Sequence, residues 1–587
     1  MMRARAMRFG KLLALIACGA ALAFTTGCGS EKGIPERVSS GFSVDKPDIL
    51  RLGLYGDALE LSPISHHGEY DRMICNLVHA APLKRSIDGK LEPDLFASWV
   101  SYPDEKGRLI VDAIWKSGLR WHDGTTFDPK ALAFTFAAMR NPANASPYAA
   151  LASQVVEIDQ LDRGRRIRIV FAKPSRRYLE LLTAGLLPPH LLEGKVLPEA
   201  QIARPFPDPD LPPAAENASP ALVAYSEYPV GLGAFRLTNR KRGRFIELES
   251  AIGAASDSAR PNFTRILFRC HPQLESLLND FRQGKLDWIP VPSEIASKIE
   301  ELRIPGALFH RYPNPGFFFW GFNLRKAPFD QIALRTALDE GLNRGNLRAK
   351  IPYEGEILKS SGFLGIGSAT IQPGSGEETA SDSIDLSQAL ETAGIRDTDG
   401  DGRRDIAGKP FSVGILVNEE NLVRKLAADE IASQLKRAGV NANVEAISWS
   451  DLLGARLASS SWDSFLLAFQ LPRDGNAVDL WHSGDGSGTE SLNFCGVADP
   501  ELDAALDQLD TWPENATPSA LLTTVSARLQ AVRPGAFLFR PFDVAAWRTG
   551  LTGPERESGL IDMQPAAWKK NTEELGAAAP ASAAEHP

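Results

Sequence analysis

The sequence predicts a mixed α/β protein built from several domains. Its 587 residues are about four times the length of a typical domain of roughly 150 residues. Hydrophobic residues make up 43% and charged residues 23%, which is typical of soluble globular proteins and excludes a disordered or multi-span membrane chain. A strand–helix–strand pattern over 411–448 indicates a parallel or mixed sheet covered by helices.

The N-terminal segment, residues 1–27, predicts an export signal. Four basic residues precede an apolar run over 12–24, and small residues follow it. This run is too short to span a bilayer as a stable helix. TTGC, ending at Cys28, has the full apolar run ahead of it, so we predict a lipoprotein signal with lipidation at Cys28. Cleavage at Cys18 and plain soluble secretion are the alternatives.

The mature protein is therefore expected at the cell envelope, on the periplasmic or extracellular face of a membrane. Residues 28–45 would form a polar tether. The formal net charge of −9 becomes −13 without the first 27 residues, which hold four basic residues and no acidic ones. So acidic a surface is repelled by phosphate backbones, and we predict no nucleic-acid partner.

The next elements follow from local patterns. Alternation predicts strands over 109–116 and 166–172. Asp128 and Pro129 form a typical helix start between them. Leu274, Leu277, Leu278 and Phe281 mark one helix face, which Gly284 can end in the left-handed conformation.

The C-terminal half begins the strand–helix–strand unit. A strand over 411–417 precedes a helix over 421–438, and Gly439 stops this helix before the next strand. The residues predicted to face inward are Leu422, Leu426, Ile431 and Leu435. The Pro-rich segment 201–221 is typical of a surface crossing, and the Ala/Pro/Glu-rich tail 572–587 is typical of disorder.

Three cysteines remain in the mature chain: Cys75, Cys270 and Cys495. An oxidising compartment permits one disulfide among them, and nothing in the sequence selects the pair. We predict buried free thiols, and one disulfide is the alternative. The absence of a C-x-x-C pair argues against zinc-ribbon and thioredoxin-like sites.

The sequence holds no phosphate-binding loop, no G-x-S-x-G nucleophile elbow and no H-E-x-x-H motif. We therefore predict that the protein is not an enzyme and uses no cofactor. DTDGDG, over 397–402, resembles the start of a calcium loop, but the twelfth position is Gly408, which has no side-chain oxygen. A polar turn without a metal is the prediction, and calcium binding stays the alternative.

Several blocks together resemble the family 5 extracellular solute-binding proteins, the receptors of ABC importers for oligopeptides, dipeptides and nickel chelates. These blocks keep the order of the family and cover most of 50–545. They are LEPDLFASW (91–99), IWKSGLRWHDGTTFDPKALAFTF (114–136), NPANASPYAAL (141–151), LLPPHLLEG (186–194), YPVGLGAF (228–235), FRQGKLDWIP (281–290), FFFWGFNLRKAPFDQIALRTALDEGLNR (317–344) and ADPELDAAL (498–506).

This resemblance implies a bilobed periplasmic-binding-protein fold, of type II and similar to cluster C, with an extra inserted domain. Two crossing segments would form a hinge, and the ligand would lie between the lobes. The implied pieces are lobe I at 46–62, 221–310 and 541–571, the inserted domain at 63–220, and lobe II at 311–540.

The resemblance also implies ligand-binding residues. Tyr148 resembles a ligand-facing tyrosine, Trp320 and Asn323 lie in a strand near the cleft, and Phe469 offers an aromatic wall. Three of them have a structural alternative. Tyr148 would pack at the start of a helix, Asn323 would fix the local backbone by a hydrogen bond, and Phe469 would belong to the core. The family's first acid, which neutralises a peptide's amino terminus, is replaced here by Pro472, so Asp474 is the substitute that we predict.

The function implied is a monomeric substrate-binding lipoprotein that captures a peptide or related small solute and delivers it to an ABC importer permease. Such a protein would work in the periplasm as part of an ABC transporter, in the transmembrane transport of peptides. A sensory or chaperone-like binding lipoprotein without a permease is the first alternative. A periplasmic hydrolase is the second, but no nucleophile–base pair supports it.

Overall fold

A computed structural model of the chain describes residues 48–571 apart from 67, 87–88, 197–218, 252–260, 315, 352–353, 359–383, 460, 471–475, 485–490, 512–518, 558 and 561–562. The predicted signal, the tether with Cys28, the residues Pro472 and Asp474, and the C-terminal tail lie outside the described residues. Within these ranges, none of the helices combines the length and hydrophobicity needed to cross a bilayer.

The strands follow one another along the whole chain. They are β1 (Ile49–Tyr55), β2 (Leu83–Arg85), β3 (Leu91–Pro93), β4 (Phe96–Pro103), β5 (Leu109–Trp115), β6 (Val155–Leu161), β7 (Arg166–Phe171), β8 (Phe235–Lys241), β9 (Phe245–Ser250), β10 (Arg265–His271), β11 (Trp288–Val291), β12 (Ala307–Pro313), β13 (Gly316–Phe322), β14 (Gly355–Ile357), β15 (Asp405–Ile406), β16 (Lys409–Pro410), β17 (Ser412–Asn418), β18 (Asn441–Ile447), β19 (Ser464–Gln470), β20 (Gly535–Arg548), β21 (Leu551–Thr552) and β22 (Lys569–Lys570).

Helices alternate with these strands. They are α1 (Glu69–Val78), α2 (Lys130–Arg140), α3 (Ala149–Ala152), α4 (Pro189–Leu192), α5 (Pro220–Glu227), α6 (Leu274–Arg282), α7 (Ala296–Glu301), α8 (Ile332–Glu340), α9 (Arg344–Lys350), α10 (Leu386–Thr392), α11 (Leu422–Arg437), α12 (Trp449–Asp451), α13 (Val478–Trp481), α14 (Pro500–Asp510) and α15 (Ser519–Val532). A 3₁₀ segment, Arg176–Thr183, follows β7.

The main sheet has 12 strands in the order β18-β17-β19-β13-β20-β11-β1-β10-β9-β8, with β12 and β14 also paired to β20. Its centre is the long strand β20. The first part of β20 pairs with β13, where Phe539 lies opposite Phe318, and the last part pairs with β11 and β12, where Trp547 lies opposite Trp288. One half of the sheet is thus built on β13, β19, β17 and β18, and the other on β11, β1, β10, β9 and β8.

A separate antiparallel sheet, in the order β4-β5-β7-β6, belongs to the segment between β1 and β8. It has its own apolar core, which runs from Ile64 to Leu232 and includes Trp115, Phe136 and Tyr178. The halves of the main sheet have other cores, containing for example Leu52 and Trp288 on one side and Trp320 and Leu466 on the other. The predicted residue boundaries of the three domains stay a prediction.

The strand–helix–strand unit is present: β17 and β18 are parallel and α11 connects them. Ile431 and Leu435 are buried as predicted, and Gly439 adopts the left-handed conformation at φ +83°. Leu426 is only partly buried, and Leu422 is 66% exposed. Asn421 caps the helix by accepting a hydrogen bond from the Arg424 N–H, so Leu422 occupies the first turn and Val423 is buried instead.

The other local predictions agree with the structure to within about one residue. Helix α2 begins at Lys130, just after Pro129, and the Asp128 carboxylate accepts a hydrogen bond from the Lys130 N–H at 2.9 Å. Gly284 has φ +72° directly after the end of α6, as predicted. The three cysteines are free and buried, as predicted.

The DTDGDG segment forms a turn. Asp397 accepts hydrogen bonds from the N–H groups of Gly400 and Gly402 at 2.7 and 2.9 Å. The carboxylates of Asp397, Asp399 and Asp405 come within 4.8 Å of one another, and Asp405 also accepts a hydrogen bond from the Thr398 N–H. These hydrogen bonds agree with the polar turn that we predicted.

Candidate functional site: the junction between the lobes

The junction between the halves of the main sheet lies where β12 passes into β13 beside β20. The Asn314 N–H donates to the carbonyl of Pro541 at 3.2 Å, which joins the two crossing segments directly. The Phe542 N–H donates to the carbonyl of Glu354 at 2.9 Å, so a third segment is held here. Backbone hydrogen bonds between distant segments thus hold this junction together.

Asp543 is the acidic group of this junction. The Nδ2 group of Asn314 donates to Asp543 Oδ1 at 2.8 Å, and the Leu560 N–H lies 3.4 Å from Oδ2. Burial raises the pKa of Asp543, while these hydrogen bonds lower it. The other residues of the stretch 541–547 are apolar, so the charge of Asp543 needs the partners that Asn314 and the backbone supply.

Glu69 lies at the start of helix α1, close to Asp543. Glu69 is exposed. Loss of water and, to a smaller extent, the negative charge of Asp543 together raise the pKa of Glu69 to about 7. The neighbouring Tyr70 is also affected by Glu69, and its pKa is raised mainly by burial. The junction therefore carries two coupled carboxylates.

Phe469 forms part of an aromatic cluster at the end of β19. Its ring centroid lies 5.9 Å from that of Phe317 and 6.5 Å from that of Phe494. Phe469 is half-buried and packs against the apolar core around Trp481. The structure therefore supports the packing role and leaves part of the ring accessible. Asp474 lies beyond β19, outside the described part of the chain.

Tyr148 lies beside the loop that connects β1 to α1. Its ring centroid is 6.4 Å from that of His66, and the hydroxyl of Ser146 donates to the carbonyl of Ile64 at 2.5 Å. Tyr148 immediately precedes α3 and is half-buried against the core of the second sheet. Tyr148 thus contacts this connecting loop near the end at which α1 and Glu69 begin.

Trp320 and Asn323 are not accessible in this structure. Trp320 is 1% exposed and packs edge-on against Phe322, with ring centroids 4.9 Å apart. Asn323 is fully buried: its Nδ2 group donates to the carbonyl of Trp462 at 2.9 Å. Alternate side chains of β13 enter two different cores, one with Phe319 and one with Trp320, so both faces of this strand are covered. Asn323 takes the backbone-fixing role that was its alternative.

Sequence reasoning missed Glu69 and Asp543. Asp543 offered a weak signal, because a single acid in the apolar stretch 541–547 needs a buried partner. Glu69 offered none, since an acid in the first turn of a helix is ordinary. Their proximity depends on pairing between distant parts of the chain.

The comparisons with known proteins agree with this architecture. Residues 90–489 match the profile described as bacterial extracellular solute-binding proteins, family 5 middle. The oligopeptide-binding protein AppA of Bacillus subtilis is 23% identical over 462 residues, which is 76% of this chain and 78% of that protein. The periplasmic oligopeptide-binding protein OppA of Escherichia coli is 21% identical over 560 residues, 92% and 96% of the two chains.

A solved structure shows the same fold with another kind of ligand. NikZ from Campylobacter jejuni, in complex with Ni(L-His), superposes with a TM-score of 0.61 at 19% identity, covering 89% of this chain and 100% of that one. The predicted bilobed α/β fold and the predicted family are therefore confirmed. The protein is a bilobed, non-enzymatic binding protein and belongs to the bacterial extracellular solute-binding proteins of family 5.

Proposed function

We propose that the protein is the substrate-binding lipoprotein of an ABC importer: it captures a peptide or related small solute between its lobes and delivers it to a permease. The observation that carries this proposal is the family match over residues 90–489, combined with crossing strands that join two halves around a junction. A monomer anchored by lipid at Cys28 completes the proposal.

The chemistry of the ligand follows from the acids that surround it. Pro472 occupies the position of the family's first acid and cannot accept a hydrogen bond through its side chain. An ammonium group buried without a partner costs several kcal/mol, and about 1.4 kcal/mol is tenfold in affinity. Unless another carboxylate compensates, peptides with a free amino terminus bind weakly. The ligand is then one without that charge or one held by aromatic faces such as Tyr148 and Phe469.

Two carboxylates are placed to compensate. Asp474 lies two positions beyond Pro472 in the sequence, and Glu69 lies at the junction with a solvent-accessible carboxylate. Single substitutions can separate their contributions.

Native mass spectrometry of the purified protein tests the proposal first, since a captured solute co-purifies with a tight receptor. Calorimetry follows, with free-amine peptides and their acetylated counterparts added to the wild type, Asp474→Asn and Glu69→Gln. A preference for acetylated peptides would support a binding site that has no acidic partner for a free amino terminus. Tight free-amine binding that is lost only in Asp474→Asn identifies an ordinary peptide receptor. Loss only in Glu69→Gln places the ammonium at the junction. No binding of any peptide or co-purified solute would contradict the proposal.

A further inference from the structure

A polar cluster connects the domain of the second sheet to the half of the protein built on β13 and β19. We call it the Arg177 latch; its members are Ser175, Arg177, Asn476, Asp479 and Asp510. Arg177 and Ser175 belong to the segment after β7, whose apolar residues enter the core of the second sheet. The other three lie next to α13 and at the end of α14, whose apolar residues enter a different core.

The latch centres on Asp510. The hydroxyl of Ser175 donates to Asp510 Oδ1 at 2.9 Å, and the Nδ2 group of Asn476 donates to the same oxygen at 2.8 Å. Arg177 forms an ion pair with Asp479, and its Nε atom lies 3.6 Å from Asp510 Oδ1. Burial raises the pKa of Asp510, while the donors and the Arg177 charge lower it.

The latch residues are buried except Asp479, whose side chain is 40% exposed, and the buried groups are not fully bonded. Arg177 is 8% exposed, and its Nε and Nη2 atoms have no hydrogen-bond partner among the described residues. A permanent buried ion pair stabilises a protein only when its remaining donors are satisfied, because desolvation otherwise offsets the attraction. This contact therefore gains little by staying closed.

We propose that the Arg177 latch is a reversible closing contact, formed when the inserted domain meets lobe II and broken when the lobes separate. Opening returns Arg177, Asp510 and Asn476 to water. Their hydration then offsets most of the free energy of the interactions that are lost. Polar contacts between domains are typical of bodies that move relative to each other, whereas large apolar seams are permanent. The latch would then set the fraction of protein that is closed before any ligand arrives.

The test measures the distance between the two bodies in protein that has been unfolded and refolded to remove any co-purified solute. Spin labels are attached at Glu105→Cys and Lys436→Cys, both exposed, in a background that also carries Cys18→Ser and Cys28→Ser. The native thiols are buried, and burial raises the pKa of Cys270 and Cys495 to about 12, so they react slowly with the label.

Arg177→Ala leaves Asp510 buried without its cation in the closed form. In the open form water solvates the Asp510 carboxylate, so the substitution favours the open form. We expect the ratio of open to closed protein to rise about tenfold, seen as a shift to longer label distances. Asp510→Asn, which keeps the same shape, should shift the distances in the same direction. Arg168→Ala is the matched control, because Arg168 pairs with Asp112 inside the second sheet and should leave the distances unchanged.

Unchanged distances in both Arg177→Ala and Asp510→Asn would overturn the proposal. A lowered melting temperature would not rescue it, because the latch would then be a permanent contact between the domains. An equal shift in Arg168→Ala would also overturn it. If Arg177→Ala does not fold, Asp510→Asn alone decides. Since no ligand is added, this result is independent of whether the proposed transport function is correct.

Discussion

Lys570 and Asp287 form an ion pair inside the protein, with Lys570 Nζ 2.6 Å from Asp287 Oδ2. Their side chains are 3% and 6% exposed. The Arg51 N–H donates to the same carboxylate oxygen at 2.7 Å, and Lys570 Nζ also donates to the carbonyl of Ile49 at 2.5 Å. The last short strand, β22, is thereby attached to β1, the first strand of the main sheet.

Lys570→Met should destabilise the protein by about 3–5 kcal/mol, because it leaves Asp287 buried without its cation. Urea denaturation followed by circular dichroism gives the change in the free energy of unfolding. Lys569→Met is the control: this neighbouring lysine is exposed, and its replacement should change stability by less than about 0.5 kcal/mol. Equal losses in the two variants would show that the ion pair has no special role.

His79 should make the protein sensitive to acid. Burial lowers the pKa of His79 to about 3, against 6.5 for an ordinary histidine, and its neutral ring donates from Nε2 to the carbonyl of Leu61. Because the unfolded chain takes up this proton first, the stability from neutral His79 is complete above about pH 6.5 and is lost as the pH falls toward 3. The full loss is about 4–5 kcal/mol.

The measurement is the free energy of unfolding between pH 3 and pH 7 for the wild type and His79→Gln. The variant retains an N–H donor but has no proton to gain, so its curve should be flatter in this range. Parallel curves for the wild type and His79→Gln would exclude this role of His79.

Glu69 should act in the opposite direction. Its pKa is raised from 4.5 to about 7, so the folded state holds a proton that the unfolded state releases. Stability from this group is complete below about pH 4.5 and is lost as the pH rises to about 7. Glu69→Gln should remove that loss, and the difference in melting temperature between variant and wild type should grow across this range.

Ligand binding should reduce the radius of gyration. The two halves are joined by crossing strands, and a ligand exchanges its hydration for protein contacts only when both halves reach it. Small-angle scattering with and without the co-purified solute measures the change. A constant radius, with binding demonstrated by calorimetry, would argue against closure of the lobes.

Membrane attachment should depend on Cys28. The apolar run ends just before TTGC, so Cys28→Ser should move the protein from the membrane fraction to the soluble fraction. Cys18→Ser should leave it attached. Release by Cys18→Ser alone would mean that we chose the wrong cysteine, and retention of both variants would mean that lipid is not the anchor.

Local order was predictable from the sequence because short-range patterns determine it. The unit β17–α11–β18 follows from periodicity, a capping asparagine and Gly439. Trp320 is buried and does not reach a cleft in this structure. Periodicity indicates which residues of a strand share a face, but it does not tell whether both faces of the strand are covered by other parts of the protein. The proximity of Glu69 to Asp543 was beyond the sequence, because it depends on β20 pairing beside strands from much earlier in the chain.

Strand β20 also determines the order in which the protein can be assembled. All the strands that it pairs with, from β11 and β12 to β13 and β14, precede it in the chain. During synthesis, each half of the main sheet therefore waits with an unpaired edge until residues 535–548 emerge, and both halves are then completed by the same segment. A chain truncated before residue 535 would expose two open edges at once, one in each lobe, and such edges favour aggregation.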